Sequence, residues 1–114
     1  MATPSAALSE QDSTELRAAL ARLREENQED QRRSRETLDD LGRNGLLVDP
    51  SMREVSTSAE YLLEDATSIL DKIDVALAAM DSGSYGNCTS CGKPIPLGRL
   101  RLRPYEPTCV ACAK

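Results

Sequence analysis

Four cysteines stand near one end of the chain and nowhere else. Cys88 and Cys91 form one CxxC pair, and Cys109 and Cys112 form a second after 17 intervening residues. Thiolates suit zinc, which takes four soft or borderline ligands in a tetrahedron. Each CxxC knuckle offers two sulfurs to one side of an ion, and the segment between the pairs brings the second knuckle round to the other side. A set of four thiolates leaves no open position for water or substrate, so the expected role is one structural zinc ion. The chain has no histidine, no nucleophile–base pair and no glycine-rich phosphate loop, so no enzyme activity is expected.

The composition supports a metal over disulfides. Residues 1–15 show no basic segment followed by an apolar one, as a secretory signal would, and no run approaches the ~20 apolar residues of a membrane span. A cytoplasmic chain follows from that reading, and there paired CxxC motifs are metal ligands more readily than disulfides. A redox CxxC would need a βαβ context, and none precedes it.

These ligands need a scaffold, and the 114 residues hold no Phe, no Trp and only three Tyr. Large aromatics supply much of a core's buried area, so an elongated helical architecture is expected. Residues 1–11 read as a disordered tail. A capping-box signal, Asp12 with Glu15 or Ser9 with Asp12, starts a helix that stops at Gly42 and Asn44-Gly45. A loop of about residues 43–50 follows. Asp49-Pro50 then opens a second helix that runs to Ser82, with Gly83 past its end. The fold class is therefore mainly α: an antiparallel two-helix coiled-coil hairpin over residues 12–82, followed by a small four-cysteine zinc-finger module over 83–114. Two helices of roughly 28 residues run about 40 Å each.

In the second helix Val55, Ala59, Leu62, Ala66, Ile69, Ile73, Ala76 and Met80 follow the alternating spacing of a coiled-coil seam. Leu63, Leu70 and Leu77 add a flanking stripe. The first helix fits the same frame with Leu16, Leu20, Leu23, Asn27, Asp30, Ser34, Thr37 and Leu41, but residues 26–36 contain no large apolar side chain. Folding back sets Leu16 and Leu20 near Met80 and Ala76, and Leu41 near Val55. The polar middle is then covered by long Arg and Glu stems, or else the facing part of helix two meets another chain.

Charge divides the chain as well. Residues 1–82 carry 9 Lys/Arg and 18 Asp/Glu, whereas the remainder carries Lys93, Arg99, Arg101, Arg103 and Lys114 against Glu106. An acidic helical segment is a poor duplex ligand, because such binding rests on phosphate neutralisation. Between the knuckles, "RLRLRP" alternates Leu and Arg. That pattern predicts a short extended strand with one apolar and one basic face, and makes Arg99, Arg101 and Arg103 either a solvated surface or a contact patch for an acidic partner or a nucleic-acid backbone.

Tyr85-Gly86, Cys88-x2-Cys91, Ile95, Arg99, Pro104 and Cys109-x2-Cys112 together resemble the zinc-finger signature of the DksA/TraR family, and the hairpin before them matches that family's architecture. The resemblance implies a transcription regulator that binds RNA polymerase directly. In that family the coiled coil enters the secondary channel, and residues at the hairpin tip act near the catalytic centre, in some members together with the alarmone ppGpp. Family members carry Asp-x-x-Asp-x-Ala at the tip. Here the tip reads "VDPSMREV", in which Asp49 matches the first Asp while Met52 and Glu54 occupy the other two positions. Asp49, Arg53 and Glu54 are the tip residues this carry-over selects. Asp71-x-x-Asp74-x-Ala76 also fits the pattern, but it lies deep in helix two with Ala76 on the seam, and reads as coincidence. The alternatives are a zinc-module DNA-binding protein and a coiled-coil adaptor that oligomerises through Leu63, Leu70 and Leu77.

Overall fold

The structure is a computed structural model and describes residues 8–113. Residues 1–7 of the expected tail, and Lys114 of the basic group, lie outside the described residues. The elements are α1 (Glu10–Arg43), a 3-10 turn (Pro50–Met52), α2 (Arg53–Ser82) and α3 (Leu97–Leu102). One isolated antiparallel bridge, Asn87 with Pro94, is the β pairing among the described residues. The mainly helical class read from the sequence is the one observed.

Local chemistry sets the helix ends. Of the two capping boxes, Ser9 with Asp12 is the one formed: the Asp12 amide donates to Ser9 Oγ at 2.9 Å, and the Ser9 amide to Asp12 Oδ2 at 3.4 Å. Helix α1 ends in a Schellman motif. The Leu46 amide returns to the Leu41 carbonyl at 2.8 Å and the Gly45 amide to that of Gly42 at 3.2 Å, with Gly45 at φ 67°. Helix α2 ends in the same way: Ser84 bonds back to Ala79 and Gly83 to Met80, with Gly83 at φ 84°. The left-handed residue is glycine in both, because a Cβ there would crowd the following carbonyl.

The chain packs as two compact units. Among the described residues, 8–23 join 71–113, and Arg24–Leu70 form the other. The first unit buries Leu16, Leu20, Ile73, Ala76, Tyr85, Ile95 and Leu100, with Leu20 and Ile73 fully inaccessible. Across its two long helices Arg17 donates to Asp81 at 3.0 Å.

The Arg24–Leu70 unit buries Ala59 and Ala66 from α2, with Ser34 and Leu41 from α1. The polar middle of α1 therefore packs by being small and by hydrogen bonding. Gln31 donates to Thr67 Oγ1 at 3.0 Å, and Thr67 in turn donates to the Leu63 carbonyl at 2.8 Å. Arg33 lines a shallow cavity with Val55, Ala59 and Leu62 of α2. Arg32 and Arg33 also form ion pairs with Glu29, Asp30 and Glu36 within α1.

Two expectations change here. Val55 and Leu62, placed on the seam from their spacing, are 44% and 52% exposed. In this unit the inward stripe runs instead through Ala59, Leu63 and Ala66. Two stripes competed on α2, and the small residues that α1 presents decide which turns in. Leu63, Leu70 and Leu77 are accordingly half-buried.

The second correction concerns "RLRLRP", whose first four residues lie in the helix α3 and not in a strand. Leu97 is half-buried and Leu100 is 1% exposed, a helical i,i+3 pair. Leu102 is 85% exposed, whereas the strand reading put it on the same face as Leu100. Pro96 stands at the N-cap with extended ψ, and its carbonyl takes the amides of Arg99 and Leu100. A short alternation cannot outweigh a proline-started turn that buries its leucine.

Candidate metal centre

The metal centre begins where α2 ends. The Tyr85 amide joins the α2 C-cap by donating to Ala79 O at 3.1 Å, and its phenol donates to the Pro104 carbonyl at 2.7 Å. Burial pushes the Tyr85 hydroxyl up to about 12, so it remains a donor at any physiological pH. The Ile95 amide bonds to Gly86 O at 2.7 Å and the Cys88 amide to Lys93 O at 2.8 Å, which closes the first knuckle into a tight loop. The Gly92 amide turns back to Cys88 O at 2.9 Å. The second knuckle is a helical turn, in which the amides of Cys112 and Ala113 reach Cys109 O. Thr89 N–H to Pro107 O at 2.8 Å ties the two knuckles together.

This framework brings the sulfurs of Cys88, Cys91, Cys109 and Cys112 within 4.8 Å of one another. The Cys91–Cys109 sulfur separation is 3.8 Å. Zinc–sulfur bonds of about 2.3 Å in a tetrahedron put the sulfurs about 3.8 Å apart, so the four residues fit the ion. The electrostatics agree. Amide donors, that of Cys109 foremost, lower the Cys88 thiol to about 6. The neighbouring sulfurs, that of Cys109 first, push Cys112 up to about 12. Four thiolates this close repel one another, and a divalent cation allows all four to lose their protons together. The module holds one structural zinc, with no ligand position left over.

The arginines between the knuckles do different work. Arg99 turns inward, where its Nε donates to Thr108 O at 3.0 Å and Nη2 pairs with Glu106 at 3.4 Å. Arg101 reaches Asp12 at 3.2 Å and Glu15 at 4.0 Å on α1. Arg103 is exposed and lies 3.8 Å from Glu106. The sequence offered no signal for the Arg99 lock except its position between the knuckles, nor any for the long-range Arg101–Asp12 pair.

At the tip, Asp49 caps the 3-10 turn. Its Oδ1 accepts from the Ser51 amide at 2.9 Å and from Ser51 Oγ at 2.8 Å, and these bonds hold its carboxyl below the usual range. Arg53 and Glu54 are exposed in the first turn of α2. Beside them Val48 is 88% exposed and Leu47 49%, which the charge-based reading of the tip overlooked. In the other pattern match Asp71 and Asp74 are exposed and Ala76 is buried.

A helical hairpin carrying a closed pair of CxxC knuckles defines a class of small zinc-stabilised α-helical proteins. The comparisons narrow it. Residues 83–114 match the prokaryotic dksA/traR C4-type zinc finger. The transcription factor DksA2 from Pseudomonas aeruginosa superposes with a TM-score of 0.79 at 35% identity, over 97% of this chain and 87% of that one. The RNA polymerase-binding transcription factor DksA of Caulobacter vibrioides is 37% identical over 78 residues, which are 64% of this chain and 55% of the relative. That of Haemophilus influenzae is 30% identical over 66 residues, 57% of this chain and 46% of the relative. The chain thus spans about half the length of the curated relatives it matches. The chain belongs to the DksA/TraR family.

Proposed function

We propose that the protein is a non-catalytic transcription regulator that acts in the cytoplasm by binding RNA polymerase, with the hairpin tip entering the secondary channel to modulate initiation. The observation that carries this reading is the likeness to DksA2, which extends over the hairpin as well as the finger. The tip is suited to contact: Val48, Arg53 and Glu54 are exposed on a loop that the Gly45 cap and the Asp49 cap hold in a defined conformation. On the finger, Arg101 and Arg103 keep more than half of their side-chain surface in solvent, whereas Arg99 serves the module's own packing. The net charge of −5 argues against promoter DNA as the direct partner. No helix among the described residues is long and apolar enough to cross a membrane.

The test is retention of core RNA polymerase on the immobilised zinc-loaded protein, with and without a second secondary-channel factor as competitor. Retention that the competitor abolishes supports the reading. Retention that the competitor leaves intact places the contact elsewhere on the polymerase, and no retention removes the partner. Transcription by the same components, with ppGpp present or omitted, shows whether that nucleotide is a co-effector.

A further inference from the structure

The zinc module does not stand apart from the hairpin. Three groups at the beginning of the described chain reach it. Leu8 places Cδ1 3.1 Å from where a Cβ on Gly86 would lie, and Leu100 Cδ1 is 3.9 Å from the same point. Gly86 stands two residues before Cys88, and Leu100 is the buried centre of α3, so Leu8 closes over the module's small core. Asp12, with only 18% of its side chain exposed, accepts from Arg101 at 3.2 Å, and Glu15 follows at 4.0 Å. Asp12 also completes the capping box that starts α1. One short segment therefore caps its own helix and grips the finger from both its apolar and its charged side.

We propose that residues 8–15 form a strap that couples the start of α1 to zinc retention: the strap raises the module's affinity for the ion, and loss of the ion releases the strap. The argument is linkage. About 30 residues of finger have too small a core to hold their fold without the metal, so the surfaces of Gly86, Leu100 and Arg101 are in place only when the module is folded. A segment that binds only the folded module must stabilise it. By reciprocity, whatever unfolds the module frees the segment by the same factor. Zinc occupancy would then be read out on the helix that leads into the hairpin, and not only within the finger.

The full-length zinc-loaded protein serves for the test, with Arg101→Gln, Asp12→Asn, the double variant and Leu8→Ala. Arg101 lies outside both the cap and the ligand set, so its loss leaves the fold intact, and circular dichroism checks this. Zinc affinity is measured by equilibrium competition with a chromogenic chelator, and the release of α1 by hydrogen exchange at the amides of residues 10–16. Each single charge variant should weaken zinc binding by roughly two- to fivefold, the range of a partly exposed ion pair, and the double variant by less than the product of the two single effects. Leu8→Ala should weaken it further. Removing zinc from the parent should speed exchange at residues 10–16. Unchanged zinc affinity in Arg101→Gln and Leu8→Ala, additive losses in the double variant, or unaltered exchange on metal removal would each overturn the strap.

Discussion

The two packed units of this chain are built from opposite materials. The one that carries the finger buries large side chains, Leu16, Leu20, Ile73, Tyr85, Ile95 and Leu100, and adds four converging thiols. The Arg24–Leu70 unit buries two alanines, a serine and one leucine, and joins its helices through Gln31 and Thr67. Four of its larger apolar side chains, Val48, Val55, Tyr61 and Leu62, stay at the surface, while Leu41 is buried and Leu63 and Leu70 are half-buried. A region whose apolar groups face inward is organised for stability. One that turns its small residues inward and its larger ones outward has surface to spend on contact. Metal and core thus fix one unit, while the other leaves several apolar side chains in solvent.

Metal removal is the strongest way to break this contrast. Chelation, or Cys88→Ser, should abolish the ordered finger, because the apolar area within it is too small to offset the entropy of ordering it. Hydrogen exchange should then rise over residues 84–113 and at the start of α1, while helical circular dichroism falls only in part. A protein that stays fully protected after losing its zinc would show that the metal does not organise that unit.

The next largest effect lies on α2. Ile73 is fully inaccessible, whereas Leu62 is half in solvent. Ile73→Asp should cost several kcal/mol, on the order of 3 or more, since it buries an unpaired charge. Leu62→Asp should change stability by about 0.5 kcal/mol or less. The same Leu62→Asp should weaken polymerase retention if the exposed stripe is a contact surface. Equal destabilisation by the two variants, followed by thermal unfolding, would erase the difference between the units.

The hairpin, its two glycine stops and the four-cysteine centre were legible because each rests on local spacing: a CxxC pair, a capping box, a glycine past the last apolar position. The inward stripe of α2 was legible in part: Ala59, Ala66, Ile73 and Ala76 turn in as their spacing says, whereas Val55 and Leu62 turn outward. Val55–Leu62 and Leu63–Leu70 carry equally good periodicity, and only the side chains that α1 presents choose between them. The α3 segment was misread because Arg-Leu alternation has period two, whereas the deciding information was Pro96 and the i,i+3 pair Leu97 and Leu100. Likewise Arg101 looked like a free surface cation because its partner Asp12 is 89 residues away in sequence.

The smallest effect is expected at Asp49, and it separates cap from contact within one residue. The carboxylate accepts from the Ser51 amide and hydroxyl, and its pKa is lowered by those bonds. The sign follows: a group whose folded pKa lies below its unfolded value contributes stability above the unfolded pKa, and loses that contribution as pH falls through the folded one. Asp49→Ala should therefore lower stability slightly near neutrality, and by less once the carboxyl of the parent is protonated, because the neutral acid keeps an oxygen for the Ser51 amide but loses the charge. Asp49→Asn keeps an oxygen for the Ser51 amide, so the cap survives while the charge goes. Should Asp49→Asn retain fold, zinc and polymerase binding but lose its effect on transcription, the charge itself acts at the tip. Should it regulate as the parent does while Asp49→Ala is merely less stable, Asp49 is a cap, and contact at the tip passes to its exposed neighbours Val48, Arg53 and Glu54. Asp71→Asn and Asp74→Asn complete the comparison: loss of regulation in those variants and not in Asp49→Asn would transfer the acidic role from the tip to the middle of α2.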